Sequence, residues 1–363
     1  MALPQYRVDG DPMPRANASR HWRLSAAFAL LALFLLAGCS SSRSRPGAGE
    51  AGTDDSFTEH DGKLKVATTV APLTNIVLNI GGDRIHVHGL IPDGVDSHTF
   101  EPKPSDAEVL SRASMLIMNG AHLEGSTEKV AQQNLKDKSK IYHLADNTLS
   151  GDAENCDTCF LYDFSFPREK GDPNPHLWMN PQYALKYAQL IEGWLAQNDA
   201  ANADYYKGNL DRYAALLTRL DAAIAQATQT VPQNQRKLLT YHDSWAYWAR
   251  RYDWTVIGAV QPSDFKEPSA QEVAALIDQI KQQQVPAVFG SEVFPSKVLE
   301  QIAREGHAKF IDKLRDDEPP GPKDAAQHTY VGMMLEDMRI MLPAMGGNAD
   351  ALNGIAPDNT FAQ

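Results

Sequence analysis

The chain has 363 residues, of which 43% are hydrophobic and 22% are charged, and this balance excludes a wholly disordered polypeptide. The 46 acidic residues outnumber the 34 basic ones, and the net charge of -12 argues against a nucleic-acid partner, whose phosphate backbone would be repelled. Three cysteines are too few for a disulfide scaffold or a cysteine-rich zinc fold.

The first segment of the chain has the pattern of a secretory signal. Arginines precede an apolar run over 24–36, and small residues follow it. As a helix this run would be about 20 Å long, too short for a bilayer core of about 30 Å. The ending Leu36-Ala37-Gly38-Cys39 resembles a bacterial lipobox, which implies lipidation of Cys39. We therefore predict a signal peptide over 1–38 and a flexible tether over 39–62, rich in Ser and Gly.

The remainder of the chain alternates short β-rich runs with helical patterns. Runs at 64–69 and 85–90 are typical strands, Pro72 marks a helix start, and capping boxes begin at Ser105 and Ser269. Between 183 and 231 apolar residues recur at helical spacing, which predicts at least one long helix. This pattern predicts an α/β fold with two lobes, each with a mostly parallel sheet flanked by helices, joined by one long rigid helix.

The boundaries follow from the same pattern. We expect an N-terminal α/β lobe over 63–199, a linking helix over 200–232 and a C-terminal α/β lobe over 233–343. The last segment, 344–363, is rich in Gly, Asn, Ala and Asp, and we expect it to fray. Beyond the signal, Cys156 and Cys159 remain in an oxidising compartment, and we expect them to form a disulfide.

Three of the eleven histidines stand in settings that suit ligation. His98 lies in a loop directly after a predicted strand, His176 lies between prolines, and His242 lies where a predicted strand meets a helix. Ligands of parallel sheets bind outside the carboxyl ends of the strands. We therefore expect His98 and His242 to face one cleft between the lobes, whereas the other histidines fit ordinary core or surface positions.

Taken as a set, the motifs resemble those of a known family: the extracytoplasmic metal-binding lipoproteins that deliver zinc or manganese to ABC importers. The resemblance covers about 64–342. The matching segments are VATTVAP at 66–72, DSHTFEP at 96–102, NPHLWMNP at 174–181, YHD at 241–243, VFGSE at 288–292 and HTYVGMM at 328–334.

The resemblance implies a fourth ligand, a carboxylate from a loop in the C-terminal lobe. Counting back from His328 favours Asp316, while Asp312 and Asp317 remain alternatives. Asp243 and Glu292 are candidates for orienting the imidazoles. Some zinc-delivering members carry a His-rich loop before the second ligand, but the corresponding segment here contains no histidine, so no auxiliary role in metal collection is carried over.

Three imidazoles and one carboxylate suit zinc, while manganese and iron stay alternatives. Members that favour manganese commonly replace the third histidine by an acidic residue, so His242 favours zinc. Because histidines must be neutral to bind, we expect zinc affinity to fall steeply below about pH 6.

The resemblance thus implies a binding protein, not an enzyme, anchored by lipid on the extracytoplasmic side of a bacterial membrane. It would act as a monomer and pass metal to a membrane permease. Two other classes of protein are alternatives. A zinc hydrolase is disfavoured because a fourth protein ligand is available and no His-Glu-x-x-His helix occurs. A surface adhesion lipoprotein remains an alternative, and it would not need all three histidines.

Overall fold

The computed structural model describes residues 55–151, 156, 158–163, 166, 168–261, 268–293 and 297–361. The predicted signal peptide, Cys39 and most of the predicted tether lie outside these residues. Among the helices of the described part of the chain, none combines the length and the apolar character that crossing a bilayer requires.

The first half of the described chain builds a parallel sheet of four strands. The strands are β1 (Leu64–Thr68), β2 (Ile85–Gly89), β3 (Met115–Met118) and β4 (Ile141–His143). Their order is β2-β1-β3-β4, so that β1 lies between the two strands that follow it in sequence. Of the two central strands, β3 is buried throughout and β1 over its last three residues.

Four helices belong to this half. The first begins at Ala71 with Pro72 in its first turn. Backbone N–H groups in the first turn have no partner within the helix, so the missing N–H of a proline costs nothing there. This agrees with the predicted helix start. The helices are α1 (Ala71–Gly81), α2 (Pro104–Arg112), α3 (Gly125–Asn134) and α4 (Pro181–Asn198).

The second half repeats the arrangement. Its strands are also parallel and have the corresponding order β6-β5-β7-β8. The strands are β5 (Lys237–His242), β6 (Thr255–Gln261), β7 (Ala287–Ser291) and β8 (Lys309–Leu314). The helices are α6 (Ala246–Tyr252), α7 (Ala270–Gln283), α8 (Lys297–Gly306) and α9 (Tyr330–Ala344).

One long helix, α5 (Ala203–Thr228), lies between the two halves in sequence. Its 26 residues span about 39 Å, and its apolar side is buried as the helical spacing predicted. Its buried residues belong to a core that also contains side chains of both sheets, so the apolar interior is continuous across the two halves. The architecture confirms the predicted fold class. The buried positions used in the prediction are Tyr213, Leu216, Leu217, Leu220 and Ile224.

The two predicted capping boxes have different outcomes. At Ser269 the box is confirmed: Glu272 N donates to Ser269 Oγ at 3.3 Å, and Ser269 N donates to Glu272 Oε2 at 2.7 Å. The box at Ser105 is wrong. Helix α2 already begins at Pro104, whose fixed φ suits a first helical position, and the Asp106 carboxylate accepts from the backbone N–H of Lys103 at 2.7 Å.

The described part of the last segment, 344–361, is packed on the rest of the chain, contrary to the expectation that it frays. Leu352 and Ile355 are buried in the main core. Two asparagines of α1 hold the segment further along: Asn75 Nδ2 donates to Asn359 Oδ1 at 3.0 Å, and Thr360 N donates to Asn79 Oδ1 at 2.8 Å. A composition rich in small polar residues therefore conceals two apolar anchors and a set of amide hydrogen bonds.

Candidate metal centre

The first histidine is held by a turn that its own sequence encodes. His98 lies in the loop after β2, and Asp96 two residues earlier caps that loop. One carboxylate oxygen accepts from His98 N at 2.9 Å, and the other accepts from the Thr99 hydroxyl at 2.6 Å. The ring of His98 is half-buried, whereas those of the two other candidates are buried.

The second histidine, His176, is fully buried and is oriented by an amide. Asn174 Oδ1 lies 2.8 Å from His176 Nδ1, and it also accepts from His176 N at 3.1 Å. The amide nitrogen of Asn174 donates to the backbone oxygen of Asp243 at 2.9 Å, which fixes which end of the amide faces the ring. An oxygen can only accept, so Nδ1 of His176 carries the proton and Nε2 presents a lone pair.

The third histidine, His242, is the last residue of β5 and is buried. Its Nδ1 lies 2.6 Å from Oδ2 of Asp316, in the loop after β8. The backbone oxygen of Asp316 in turn accepts from the indole N–H of Trp178 at 2.7 Å. A residue two positions after His176 thereby fixes the loop that faces His242.

The three rings come together although they are far apart in sequence. Nε2 of His98 and Nε2 of His176 lie 3.0 Å apart, and one nitrogen from each of the three rings lies within 4.8 Å of the others. Nitrogens bound to one zinc ion at about 2.0–2.1 Å are separated by no more than about 4 Å. Small side-chain rotations would therefore bring all three rings onto one ion.

The electrostatics of the rings differ. Burial lowers the pKa of His98 and His176 well below the usual value, and the nearby charge of His242 lowers both further. Burial also opposes the charged form of His242, yet the charge and hydrogen bond of Asp316, together with the charges of Asp317 and Asp96, outweigh it and raise the pKa of His242 to about 9. For Asp316 burial acts against ionisation, but His242 lowers the pKa of this carboxyl below its ordinary value.

The loop with Asp316 is held by a half-buried carboxyl group. Glu292, directly after β7, accepts through Oε1 from the backbone N–H groups of Asp316, Asp317 and Glu318 at 3.1, 3.3 and 3.2 Å. Burial raises the pKa of Glu292 well above its usual value, and the charges of Asp316 and Asp317 add to this effect. Glu292 thus contacts the carboxylate loop, not the imidazoles that it was expected to orient.

The other predicted site residues occupy different positions. Asp317 is buried beside Ser97, and burial together with the charge of Asp316 raises its pKa to about 7. Asp312 lies on β8 with its side chain exposed. Asp243 is buried next to His242, and its backbone oxygen contacts Asn174. The sequence analysis did not identify the Asn174 amide as part of the site, although Asn174 stands two residues before His176 in the motif at 174–181.

Cys156 and Cys159 and two further histidines have local partners. Cys156 and Cys159 form a disulfide. His122 pairs with Asp172 at 2.5 Å on the surface. His86 pairs with Asp61, and with Glu59 these form a second group of possible metal ligands whose two carboxylates are exposed.

Comparison with protein families matches residues 66–342 to the family described as "Zinc-uptake complex component A periplasmic" (ZnuA). The chain belongs to this family. A ZnuA-family protein is a substrate-binding component of metal uptake and not an enzyme, in agreement with the expectation from the motifs.

Relatives and solved structures agree with this membership. The metal ABC transporter substrate-binding lipoprotein FimA of Streptococcus parasanguinis is 27% identical over 256 residues, 70% of this chain and 81% of the relative. The manganese-binding lipoprotein MntA of Halalkalibacterium halodurans is 25% identical over 289 residues, 79% of this chain and 90% of the relative. The periplasmic zinc binding protein TroA from Treponema pallidum shares the fold, with a TM-score of 0.69 and 24% identity, over 78% of this chain and 99% of that chain.

Proposed function

We propose that this chain, the substrate-binding lipoprotein of a metal ABC importer, captures zinc with His98, His176, His242 and Asp316 and passes it to the importer's permease. The observation that carries the proposal is the convergence of three imidazole nitrogens within 4.8 Å of one another. A buried carboxylate lies against one of these rings. In this role the protein would act as a monomer anchored by lipid at Cys39.

The choice of zinc rests on the chemistry of the donor set. Three imidazoles and one carboxylate make a four-ligand site of nitrogen and oxygen, which zinc accepts because its filled d-shell imposes no geometry. Manganese prefers more oxygen donors, and at a site of given ligands zinc binds more tightly. His176 already presents its Nε2 lone pair, so part of the site is arranged before metal arrives.

Manganese is the second candidate, and one feature of the loop favours it. Two adjacent carboxylates, Asp316 and Asp317, are both buried beside the histidines. If both bound the ion, or if one bound through both oxygens, the oxygen count would rise toward what manganese or iron prefers. Several relatives are named for manganese, including MntA. The metal is therefore the part of the proposal that requires measurement first.

Asp316 is the proposed fourth ligand because its carboxylate already contacts a ligand ring. Asp317 is the alternative: its Oδ1 is buried and has no hydrogen-bond partner among the described residues. Asp312 is disfavoured because its side chain is exposed. Comparing Asp316→Asn with Asp317→Asn distinguishes the two, since only loss of the true ligand should weaken zinc binding by more than the roughly 10–100-fold typical of outer partners.

The test is a competitive titration of metal-stripped protein with zinc and with manganese against chelators of known affinity. We expect one zinc per chain, bound more tightly than manganese, and loss of binding in His242→Ala. His122→Ala is the matched control, because this histidine pairs with Asp172 on the surface. Preferred binding of manganese would overturn the metal but leave the site. An unchanged affinity in His242→Ala would overturn the site itself.

A further inference from the structure

An aromatic side chain that the proposed metal chemistry does not use lies against the ligand rings. The ring of Phe166 is stacked on that of His98, with centroids 5.8 Å apart and planes at 30°. It also meets His176 edge-on, with centroids 5.8 Å apart and planes at 65°. Phe166 is only 5% exposed, although it belongs to a segment between elements, where most side chains face water.

The position of Phe166 is fixed by a chain of hydrogen bonds that ends on a ligand. Its backbone N–H donates to Asp163 Oδ1 at 3.3 Å, and its backbone oxygen accepts from Asp163 N at 2.9 Å. Asp163 Oδ2 accepts from the amide of Asn174 at 2.9 Å, and that amide orients His176. The aromatic ring and the second ligand are therefore placed by the same two polar residues.

A second set of bonds fastens the same segment to the C-terminal half. Leu161 N donates to the hydroxyl of Tyr247 at 3.1 Å, and this hydroxyl donates to the backbone oxygen of Asn174 at 2.8 Å. Asn174 N donates back to Leu161 O at 2.9 Å. The described residues 158–163 and Phe166 are thus tied both to the ligand motif and to α6.

His98 is the least buried of the three histidines, and the Phe166 ring lies against it. We propose that metal enters and leaves past the His98 ring, and that Phe166 covers this route and sets the rate of exchange without being a ligand. This inference rests on the proposed function. It makes Phe166 a positioning residue for metal exchange.

Phe166 would slow metal exchange because its ring must move before an ion can pass. A metal ion that passes His98 requires the Phe166 ring to leave its aromatic neighbours and exposes apolar surface to water. We expect the ring to return to this position once the ion is bound, so that it adds to the barrier in both directions. Removal of the ring should accelerate binding and release by similar factors and leave the equilibrium affinity nearly unchanged. Loss of the interaction between one pair of aromatic rings lowers the barrier enough to raise the rate about three- to tenfold.

The experiment uses the purified full-length protein, loaded with zinc and mixed rapidly with excess EDTA to measure release. Mixing the stripped protein with zinc measures association, and competition with a chelator gives Kd. Phe166→Ala should speed both rates about three- to tenfold with Kd changed less than about threefold. Phe166→Leu, which keeps an apolar cover, should lie between this variant and the unchanged protein.

Tyr162→Ala is the matched control. Tyr162 belongs to the same segment but packs on Arg168, whose guanidinium carbon lies 4.6 Å from the ring centre, so this variant should keep normal rates. Equal release rates in Phe166→Ala and the unchanged protein would overturn the inference, as would a weaker Kd with an unchanged association rate. If the unchanged protein bound no zinc, the proposed function would be wrong as well. Failure of the Phe166 inference alone would leave zinc binding intact, so the two outcomes can be told apart.

Discussion

Nδ1 of His242 and Oδ2 of Asp316 lie 2.6 Å apart, so a buried imidazole and a buried carboxylate hold each other where the proposed metal ligands converge. His242 ends β5, and Asp316 follows the edge strand β8 of the same sheet. The pair holds a proton, because the pKa of His242 is raised to about 9. At the proposed site an incoming cation would displace this proton, so we expect metal binding and proton release to be linked at this contact.

The first prediction concerns the number of protons released on binding zinc. The pKa of His242 is about 9, so near pH 7.5 its ring is charged, whereas His98 and His176 are neutral because burial lowers their pKa. Zinc should release about one proton, and its affinity should fall about tenfold for each pH unit between about 8 and 6.5. Calorimetry in two buffers of different ionisation enthalpy gives the proton count.

This dependence differs from the one expected for three ordinary histidines, which would be flat at neutral pH and steep below about pH 6. Asp316→Asn is the control, because loss of the carboxylate removes the cause that raises the pKa of His242. In that variant, titrated above its own weaker Kd, proton release should be close to zero at pH 7.5. Release of none, or of three, by the unchanged protein would contradict the assignment of charges.

The second prediction concerns Glu292, whose Oε1 accepts hydrogen bonds from three consecutive backbone N–H groups in the loop 316–318. Glu292→Ala removes that acceptor, and zinc affinity should fall about 10–100-fold, the effect typical of partners that orient a ligand. Glu292→Gln keeps an acceptor oxygen in place and should stay close to the unchanged protein. Chelator competition measures both. Equal losses in the two variants would show that the carboxyl proton, not the acceptor oxygen, holds the loop.

The third prediction concerns a contact between loops of the two halves. The Ser97 hydroxyl donates to Asp317 Oδ2 at 2.7 Å, and Gly94 N donates to Glu318 Oε2 at 2.7 Å. Ser97→Ala leaves a buried carboxyl with one partner fewer, and the free energy of unfolding should fall by about 1–3 kcal/mol. Urea unfolding of the metal-free protein measures this.

Ser126→Ala is the matched control for Ser97→Ala. Its hydroxyl donates to Glu101 at 2.9 Å on an exposed surface, and its loss should change the free energy of unfolding by no more than about 0.5 kcal/mol. If both variants lost the same amount of stability, burial of the contact between the halves would not be the cause.

The fourth prediction concerns the C-terminal segment. Leu352 is fully buried, so Leu352→Ala should lower the free energy of unfolding by about 2–5 kcal/mol through lost burial and a new cavity. The neighbouring Asn353 is exposed, and Asn353→Ala should change little. Urea unfolding of the two variants compares them. A Leu352→Ala protein as stable as the unchanged one would mean that the segment is not anchored in solution.

Much of the fold could be predicted because it depends on local patterns. The strand patterns of β1 and β2 and the helical spacing in α5 are properties of neighbouring residues, and the structure confirms them. One failure, the capping box at Ser105, was also local, whereas the other depended on contacts distant in sequence. The C-terminal segment is polar by composition, yet its order comes from Asn75 and Asn79, nearly three hundred residues earlier in the chain.

The candidate site divides in the same way. His98 and His242 could be placed together because parallel strands align their carboxyl ends, and the structure brings both rings to His176. Counting residues favoured Asp316 but left Asp312 and Asp317 as alternatives, since the difference between Asp312 and Asp316 is the direction in which a side chain leaves β8 and the loop after it. The roles of Asn174 and Phe166 depend on three-dimensional contacts, and spacing alone gives no sign of them.

The continuous apolar interior has a consequence for how the bound metal ion is released. Val66 of β1, Leu217 of α5 and Phe289 of β7 belong to one buried cluster, so separating the halves would expose its middle to water. Loaded and empty protein should therefore give nearly superimposable small-angle scattering curves. We therefore expect release at a docked transporter to require movement of the loops that carry the proposed ligands, without separation of the halves.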